Sequence, residues 1–564
     1  MRFTRLQLGV AIAIPYTTQA AQAPLRIPPH SDVDSSILDL RTLWDDLSIR
    51  PHANATGNFL FGGVNSLLLH WPNTRYRNGH NIVPGTIPVG TLLYHGRADA
   101  NMPTMPDWTA TDPEHSYHFC GEANWKDRPD AKGCWHLTIV ATRPLRVLYL
   151  DGSSAANMKD GTLDAQDLLL WGKVDPSRWL DERTRIDNFC AWGRDYGIDG
   201  YLRMEMDFEV MLCDFKNGVE LVSADYIAAW RARYITPPWG PPRPPDQDLR
   251  HCLSSENGTR SLEQHLLRFE MVRAGSWHNH YPGETRVVLD LAHLVSFYDL
   301  TLVPSLVAHR AGKARWDHRL QNISASDLVA VNARLKTALT SHSTEIGSGV
   351  DWRTLFRVLV DRYADRLEML EYLLNTTTPA NAHERATVIQ RQLRVILTPY
   401  ILYSARPLSD ASTSDAWATP VWRACATRHT SHIHMQAATL TTSERLLLSA
   451  LDETNREICR VVVRMWAAGV HAGLDALLLP HKVEDDSKLS AVVRGWRTDA
   501  SALMAWLDWS VWVKCRPACG FEEMCYLPTW PYFWETLEDA EDENGEWKRP
   551  QPRCIRQLEP YSRL

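Results

Sequence analysis

The run Thr236-Pro-Pro-Trp-Gly-Pro-Pro-Arg-Pro-Pro245 constrains this chain more than any other stretch. Proline fixes φ and lacks a backbone N–H, so a run this dense in it excludes helix and sheet alike. The run therefore marks an expected boundary along the chain. The patterns on its two sides differ. Before it, short apolar runs predict strands at Thr91–His95, Leu137–Thr142, Leu145–Leu150, Gly200–Met204 and Phe208–Phe215. Helices are expected at Thr162–Leu170 and Glu182–Tyr196, the second with Ile186, Phe189 and Trp192 on one face. After it, one more strand at Thr285–Leu291 gives way to helical spacing at 327–342, 351–375, 382–404, 443–478 and 487–512. In the segment 351–375, Leu355, Val358, Leu359, Tyr363, Leu367 and Leu370 repeat at amphipathic intervals. The expected class is α+β, a mixed-sheet N-terminal domain followed by a large α-helical one.

The expected organisation is a signal peptide at 1–23, an irregular segment at 24–83, an α/β candidate catalytic domain at 84–235 and a Pro-rich linker at 236–250. A mainly helical domain at 251–512 and a Cys-rich tail at 513–564 follow. Arg2 and Arg5 ahead of Leu8–Ile14, with the small run Ala20-Ala21-Gln22-Ala23 behind, read as an export signal. Sequons at Asn54, Asn257, Asn322 and Asn375 agree with a secreted glycoprotein. No later apolar run reaches the roughly 18 residues that would span a bilayer. The 11 cysteines then read as mostly disulfides, with one left over. Cys515, Cys519, Cys525 and Cys554 form the densest group; zinc is the weaker reading there, since paired knuckles and a nearby histidine are missing. A net charge of −7 gives no electrostatic case for nucleic acid. The 23 tryptophans suit either a sugar- or base-stacking surface or an aromatic core.

Three pieces carry candidate chemistry. Thr91–Arg97 is an apolar strand ending in His95-Gly96; Trp108–Phe119 is a short strand turning into a new element through Tyr117; Asp207–Phe215 puts Glu209 in an apolar strand. Cleaving a C–N glycosidic bond develops positive charge on the ribose, which needs a carboxylate close by. An aromatic must hold the departing base. On a strand, Glu205, Asp207 and Glu209 share a face, and their repulsion would tune one of them as an acid or base. A buried Glu209 needs a partner or a purpose, and Arg203 or Arg194 would serve as the partner.

These pieces resemble the NAD-dependent ADP-ribosyltransferases of the diphtheria-toxin and poly(ADP-ribose) polymerase type. Leu93-Tyr94-His95-Gly96 looks like their first motif, Trp108–Cys120 like their second and Glu209-Val-Met-Leu-Cys-Asp214 like their third. The resemblance covers residues 84–225. It implies NAD as substrate, without a metal: His95 and Gly96 would bind the ribose and amide, Trp108 and Tyr117 the nicotinamide, and Glu209, tuned by Asp207, the 2′-hydroxyl. Trp108 departs from the usual tyrosine, and the first two motifs stand closer together than in most members.

Other readings compete. Asp151, Asp199, Glu205 and Glu209 would serve a secreted glycoside hydrolase if they sat at strand ends of a (β/α)₈ barrel. Gly197-Ile198-Asp199-Gly200 is similar to chitinase-type barrels, but Leu202 and Met204 interrupt the acid pattern. The histidine groups His429/His432/His434, His278/His280 and His115/His118 lack acids at a ligand spacing. A non-catalytic binding protein on a degenerate transferase fold is the remaining class. The expected partner is a small nucleotide or sugar; the oligomeric state is open.

Overall fold

The computed structural model describes residues 46–120, 134–227, 268–341, 347–376, 381–407, 414–475, 485–528 and 549–558, with 478 and 530 besides. The export signal, the Pro-rich run and much of the tail lie outside the described residues, as do Asn257 and Cys252.

Ten strands form one mixed sheet: β1 Asn81–Ile87, β2 Leu92–Arg97, β3 Asp107–Ala110, β4 Cys134–Ala141, β5 Leu145–Leu150, β6 Gly200–Met204, β7 Phe208–Leu212, β8 Val219–Ile227, β9 Val288–Leu289 and β10 Val295–Ser296. The order is β10-β1-β5-β6-β7-β3-β2-β4-β8, with β9 beside β1. Among the described residues only β5 and β6 pair in parallel, across a crossover that contains α2 Asp164–Trp171 and α3 Glu182–Gly193. Such a sheet has no repeated βα unit, so the barrel arrangement that would gather Asp151 and Asp199 does not occur among the described residues. Asp199 is instead held by both terminal nitrogens of Arg143, at 2.8 and 2.7 Å.

Most expected strands and helices form where the apolar spacing put them, although the helix expected at 382–404 ends at Leu397 and the strand expected at Thr285–Leu291 is only Val288–Leu289. Among the elements that escape that reading are β1, β8, β10 and the helices Gly57–Ser66 and Thr419–Thr427. β1 contains Pro84 and Gly85, which look like a loop; Gly85 lets β9 pair closely, since a Cβ there would stand 3.1 Å from the Val288 carbonyl. β8 is an edge strand with mostly exposed residues, so it has no apolar alternation to betray it. The segment expected to be irregular contains α1 Gly57–Ser66, whose three glycines lower its intrinsic helix propensity. A side chain at Gly63 would collide with Asn81 Nδ2 at 2.6 Å, so the missing Cβ lets α1 sit directly on β1.

One face of the sheet joins the helices in a single apolar core. Leu93, Leu137, Leu202 and Val210 share it with α5 Trp352–Asn375, α6 Ala382–Leu397, α7 Thr419–Thr427, α8 Thr442–His471 and α9 Asp486–Leu507. The other face packs on α2, α3 and α4 Ala325–Ser341 through Trp108, Ile186, Tyr201 and Leu335. Helix ends are capped locally: Thr441 and Glu444 form a reciprocal capping box at α8, and Asp351 and Asp485 accept from Thr354 and Lys488 at α5 and α9. No described helix is long and apolar enough to cross a membrane.

Among the described residues five disulfides are present: Cys120–Cys134, Cys190–Cys213, Cys425–Cys459, Cys515–Cys525 and Cys519–Cys554. The four tail cysteines pair with one another, which leaves them no thiolate for zinc. Cys190–Cys213 ties α3 to the residue after β7 across 23 positions. Replacing both cysteines by serine is expected to lower the unfolding free energy by about 3 kcal/mol through loop-closure entropy, as measured by urea unfolding under non-reducing conditions. The sequon asparagines Asn54, Asn322 and Asn375 are all exposed.

Candidate functional site

β2, β3 and β7 lie side by side, so the pieces carrying His95, Trp108 and Glu209 meet although 114 positions separate the first from the last. Tyr94 stands opposite Ala110, and Ala110 opposite Glu209. Directly opposed residues share a face, so Glu209 projects on the side of Tyr94, Ala110 and Trp108. Strand alternation assigns His95 to the other side.

β2 and β3 pair at that one position and then separate. His95 fills the split: its Nδ1 lies 2.6 Å from the Trp108 carbonyl, and its ring stacks on Phe119 with centroids 5.6 Å apart. Phe215 closes the other side at 6.2 Å. The imidazole is 4 % exposed, and burial holds its pKa below the usual value, hence neutral. Gly96 is needed for packing, since a Cβ would meet Cys120 Sγ at 2.5 Å and the Ser116 carbonyl at 2.7 Å. Trp108 is 1 % exposed, with the Arg183 guanidinium 4.9 Å over its ring. Tyr117 is half-buried, 5.8 Å from His136. These positions correct the roles the resemblance implied for His95, Gly96 and Trp108: all three hold the sheet and its covering turn together, and neither ring offers a free face.

Glu209 is different. Register places it directly opposite Arg203 on β6, whose Nε and Nη2 both donate to Oε1, at 2.8 and 2.5 Å. Arg203 Nη2 also donates to Glu182 Oε2 of α3 at 2.7 Å, and Nη1 to Gln166 Oε1 of α2 at 3.3 Å. Arg185 continues the chain, 3.1 Å from Glu182 and 2.8 Å from Asp167. Oε2 of Glu209 makes no hydrogen bond among the described residues, and the side chain keeps 9 % of its surface exposed. Burial raises its pKa, against the pull of Arg203. The result is a carboxylate with one oxygen clamped and the other open.

Asp207 does not assist Glu209. It sits at the tip of the β6–β7 hairpin, its Oδ1 accepting from the Phe208 N–H at 2.7 Å, and faces His278, Asp112 and Glu284. Glu205, at the same tip, is committed to Arg77 at 2.8 Å and to the Trp530 N–H at 2.7 Å. The hairpin turn, which strand alternation ignored, sends the three acids to three different partners.

A small polar cavity lies past the C-terminal end of β5, lined by Asp151, His80, Asn78, Tyr76, Tyr298 and Arg315. The Asp151 carboxylate accepts from the His80 and Asn81 N–H groups, both at 2.7 Å, and from Asn81 Nδ2 at 2.6 Å. Burial nonetheless pushes its pKa up to about 6 from 3.8. The folded state thus holds this proton more tightly than the unfolded one, so ionisation costs stability above pH 6 and the cost vanishes as pH falls toward 4. Asp151→Asn should therefore stabilise the protein at pH 7.5 by up to about 3 kcal/mol and leave it near wild type at pH 4.5. Asn81 Oδ1, buried without a partner, would accept from the new amide after a flip. Urea unfolding at the two pH values measures the difference.

The family model described as the YPL277C N-terminal domain matches residues 122–233, which include β4 to β8 and Glu209. Two relatives from Saccharomyces cerevisiae are similar over more of the chain. Uncharacterized protein YOR389W is 24 % identical, over 89 % of this chain and 86 % of its own length. Uncharacterized protein YPL277C is 27 % identical, over 63 % of this chain and 83 % of its own. No solved structure matches.

Proposed function

We propose that the sheet domain cleaves the nicotinamide–ribose bond of NAD, as a secreted ADP-ribosyltransferase or NAD glycohydrolase. One observation carries this reading: Glu209, in the strand beside β3 and two from the His-Gly strand, has Oε1 fixed by Arg203 and Oε2 unbonded. A carboxylate oriented in advance, with one oxygen at the surface, is what an oxocarbenium-like ribose requires. Oε2 would accept from a ribose hydroxyl and stabilise the charge at C1′. The C–N electron pair leaves with nicotinamide, and water or an acceptor side chain adds to C1′. Arg203 is a positioning residue in this scheme; His95 and Gly96 shape the strand end and do not touch the sugar.

The test compares wild type, Glu209→Gln and Asp151→Asn on NAD and on a panel of aryl glycosides. Nicotinamide release is expected from wild type and Asp151→Asn, with kcat reduced by about 100-fold or more in Glu209→Gln and KM little changed. Glycoside cleavage lost with Asp151→Asn would replace this reading by the sugar-hydrolase one. A second reading, a binding module on a degenerate transferase fold, is favoured by the filling of the β2–β3 split with His95, Phe119 and Phe215. It predicts no release from folded wild type.

A further inference from the structure

We propose that Asp112, Asp207 and His278 hold one divalent cation, with Glu284 beside them, at a site separate from Glu209. The four residues come from distant parts of the chain: the turn after β3, the β6–β7 hairpin tip, and the segment leading to β9. His278 Nε2 lies 3.0 Å from Asp112 Oδ2, 3.7 Å from Asp207 Oδ1 and 3.7 Å from Glu284 Oε2. One ligand atom from each of Asp112, Asp207 and His278 falls within 4.8 Å of the others. Ligands at about 2.1 Å from a tetrahedral ion stand about 3.4 Å apart, and the His278 spacings to Asp112 and Asp207, 3.0 and 3.7 Å, lie on either side of that edge.

A second observation points the same way. Asp207 is 1 % exposed, and its Oδ2 has no hydrogen-bond partner. A carboxylate oxygen buried and unbonded in a group of acids is costly unless a proton or a cation meets it. Charge balance gives the valence. Three carboxylates gather around His278, and Arg286 is the guanidinium that joins them, bonding Asp112 at 3.0 and 2.9 Å and Glu284 at 2.8 and 2.5 Å. With the imidazole deprotonated, as a metal-ligating histidine must be, a doubly charged ion brings the group to zero. Arg77 stands nearby but is spent on Glu205. One imidazole and two carboxylates suit Zn²⁺ or Mn²⁺ better than a softer ion.

The experiment is equilibrium dialysis of the chelator-stripped, non-reduced full chain against Zn²⁺ or Mn²⁺ alone, with metal counted by mass spectrometry. One equivalent is expected on wild type. Asp207→Asn, which keeps an oxygen for the Phe208 N–H, should weaken binding by at least about tenfold, since even outer-shell changes reach that size. His278→Ala should do the same. Should either variant misfold, the wild-type Co²⁺ spectrum decides: visible d–d bands without a thiolate charge-transfer band support the site. No stoichiometric metal on wild type, a thiolate band, or unchanged binding by folded Asp207→Asn overturns it.

Discussion

Arg203→Met is expected to lower the stability of the protein by about 3–5 kcal/mol, the usual cost of stranding a buried charge. Arg203 is 1 % exposed and is the cation that Glu209 and Glu182 share. Methionine fills the aliphatic volume but leaves Glu209 with no partner; Glu182 retains only the longer contact to Arg185. The penalty belongs to the ionised carboxylate, so it should shrink as pH falls and the stranded Glu209 takes up a proton. Combining Arg203→Met with Glu209→Gln should recover much of the loss, because the charge is then gone. Urea unfolding of the two single variants and the double variant, at pH 7.5 and 4.5, tests all three statements. A double variant as unstable as Arg203→Met alone would mean that packing, not charge, explains the effect.

Gly275→Ala should cost about 3 kcal/mol or more, at the high end of small-to-large changes. A Cβ at this position would lie 1.9 Å from the Met206 carbonyl and 3.3 Å from His70. Met206 cannot retreat easily. It sits in the hairpin tip between Glu205, tied to Arg77, and Asp207, which accepts from its own neighbour's N–H. The substitution would force the helical segment 268–276 off that tip, separating His278 from Asp112 and Asp207. Gly275→Ala should thus also abolish the metal equivalent proposed above, whereas Gly312→Ala, with nothing within 4 Å of its added Cβ, should keep it. The φ of +72° at Gly312 makes that control mildly destabilising in its own right. Melting curves of the two variants should differ accordingly.

Legibility in the sequence followed the strength of the apolar pattern. The strands Leu145–Leu150 and Gly200–Met204 and the long helices α5 and α8 are buried on a regular face, and spacing reveals such faces. β8 is exposed and polar, α1 is glycine-rich, and β1 contains a proline, so each forms for tertiary reasons that a local window does not contain. Among the site residues, the partner of Glu209 was readable: Arg203 lies six positions away, across one hairpin. The burial of Trp108 under Arg183 was not, because the cation comes from a helix 75 positions on. Nor was the cluster around His278. Its acids at 112, 207 and 284 have no common spacing, and the turn after β3, the hairpin tip and the segment leading to β9 bring them together. Acids two apart pointed to one shared face; the three-residue turn between β6 and β7 cancels that inference.

The measurement that bears most directly on the central claim is steady-state release of nicotinamide from NAD by the full chain with its disulfides intact. Wild type and Glu209→Gln would be assayed side by side, both first checked for the same cooperative melting. The account predicts release by wild type and a loss of about 100-fold or more in kcat for the variant. Folded wild type that releases no nicotinamide, or a variant that matches it, would contradict the account.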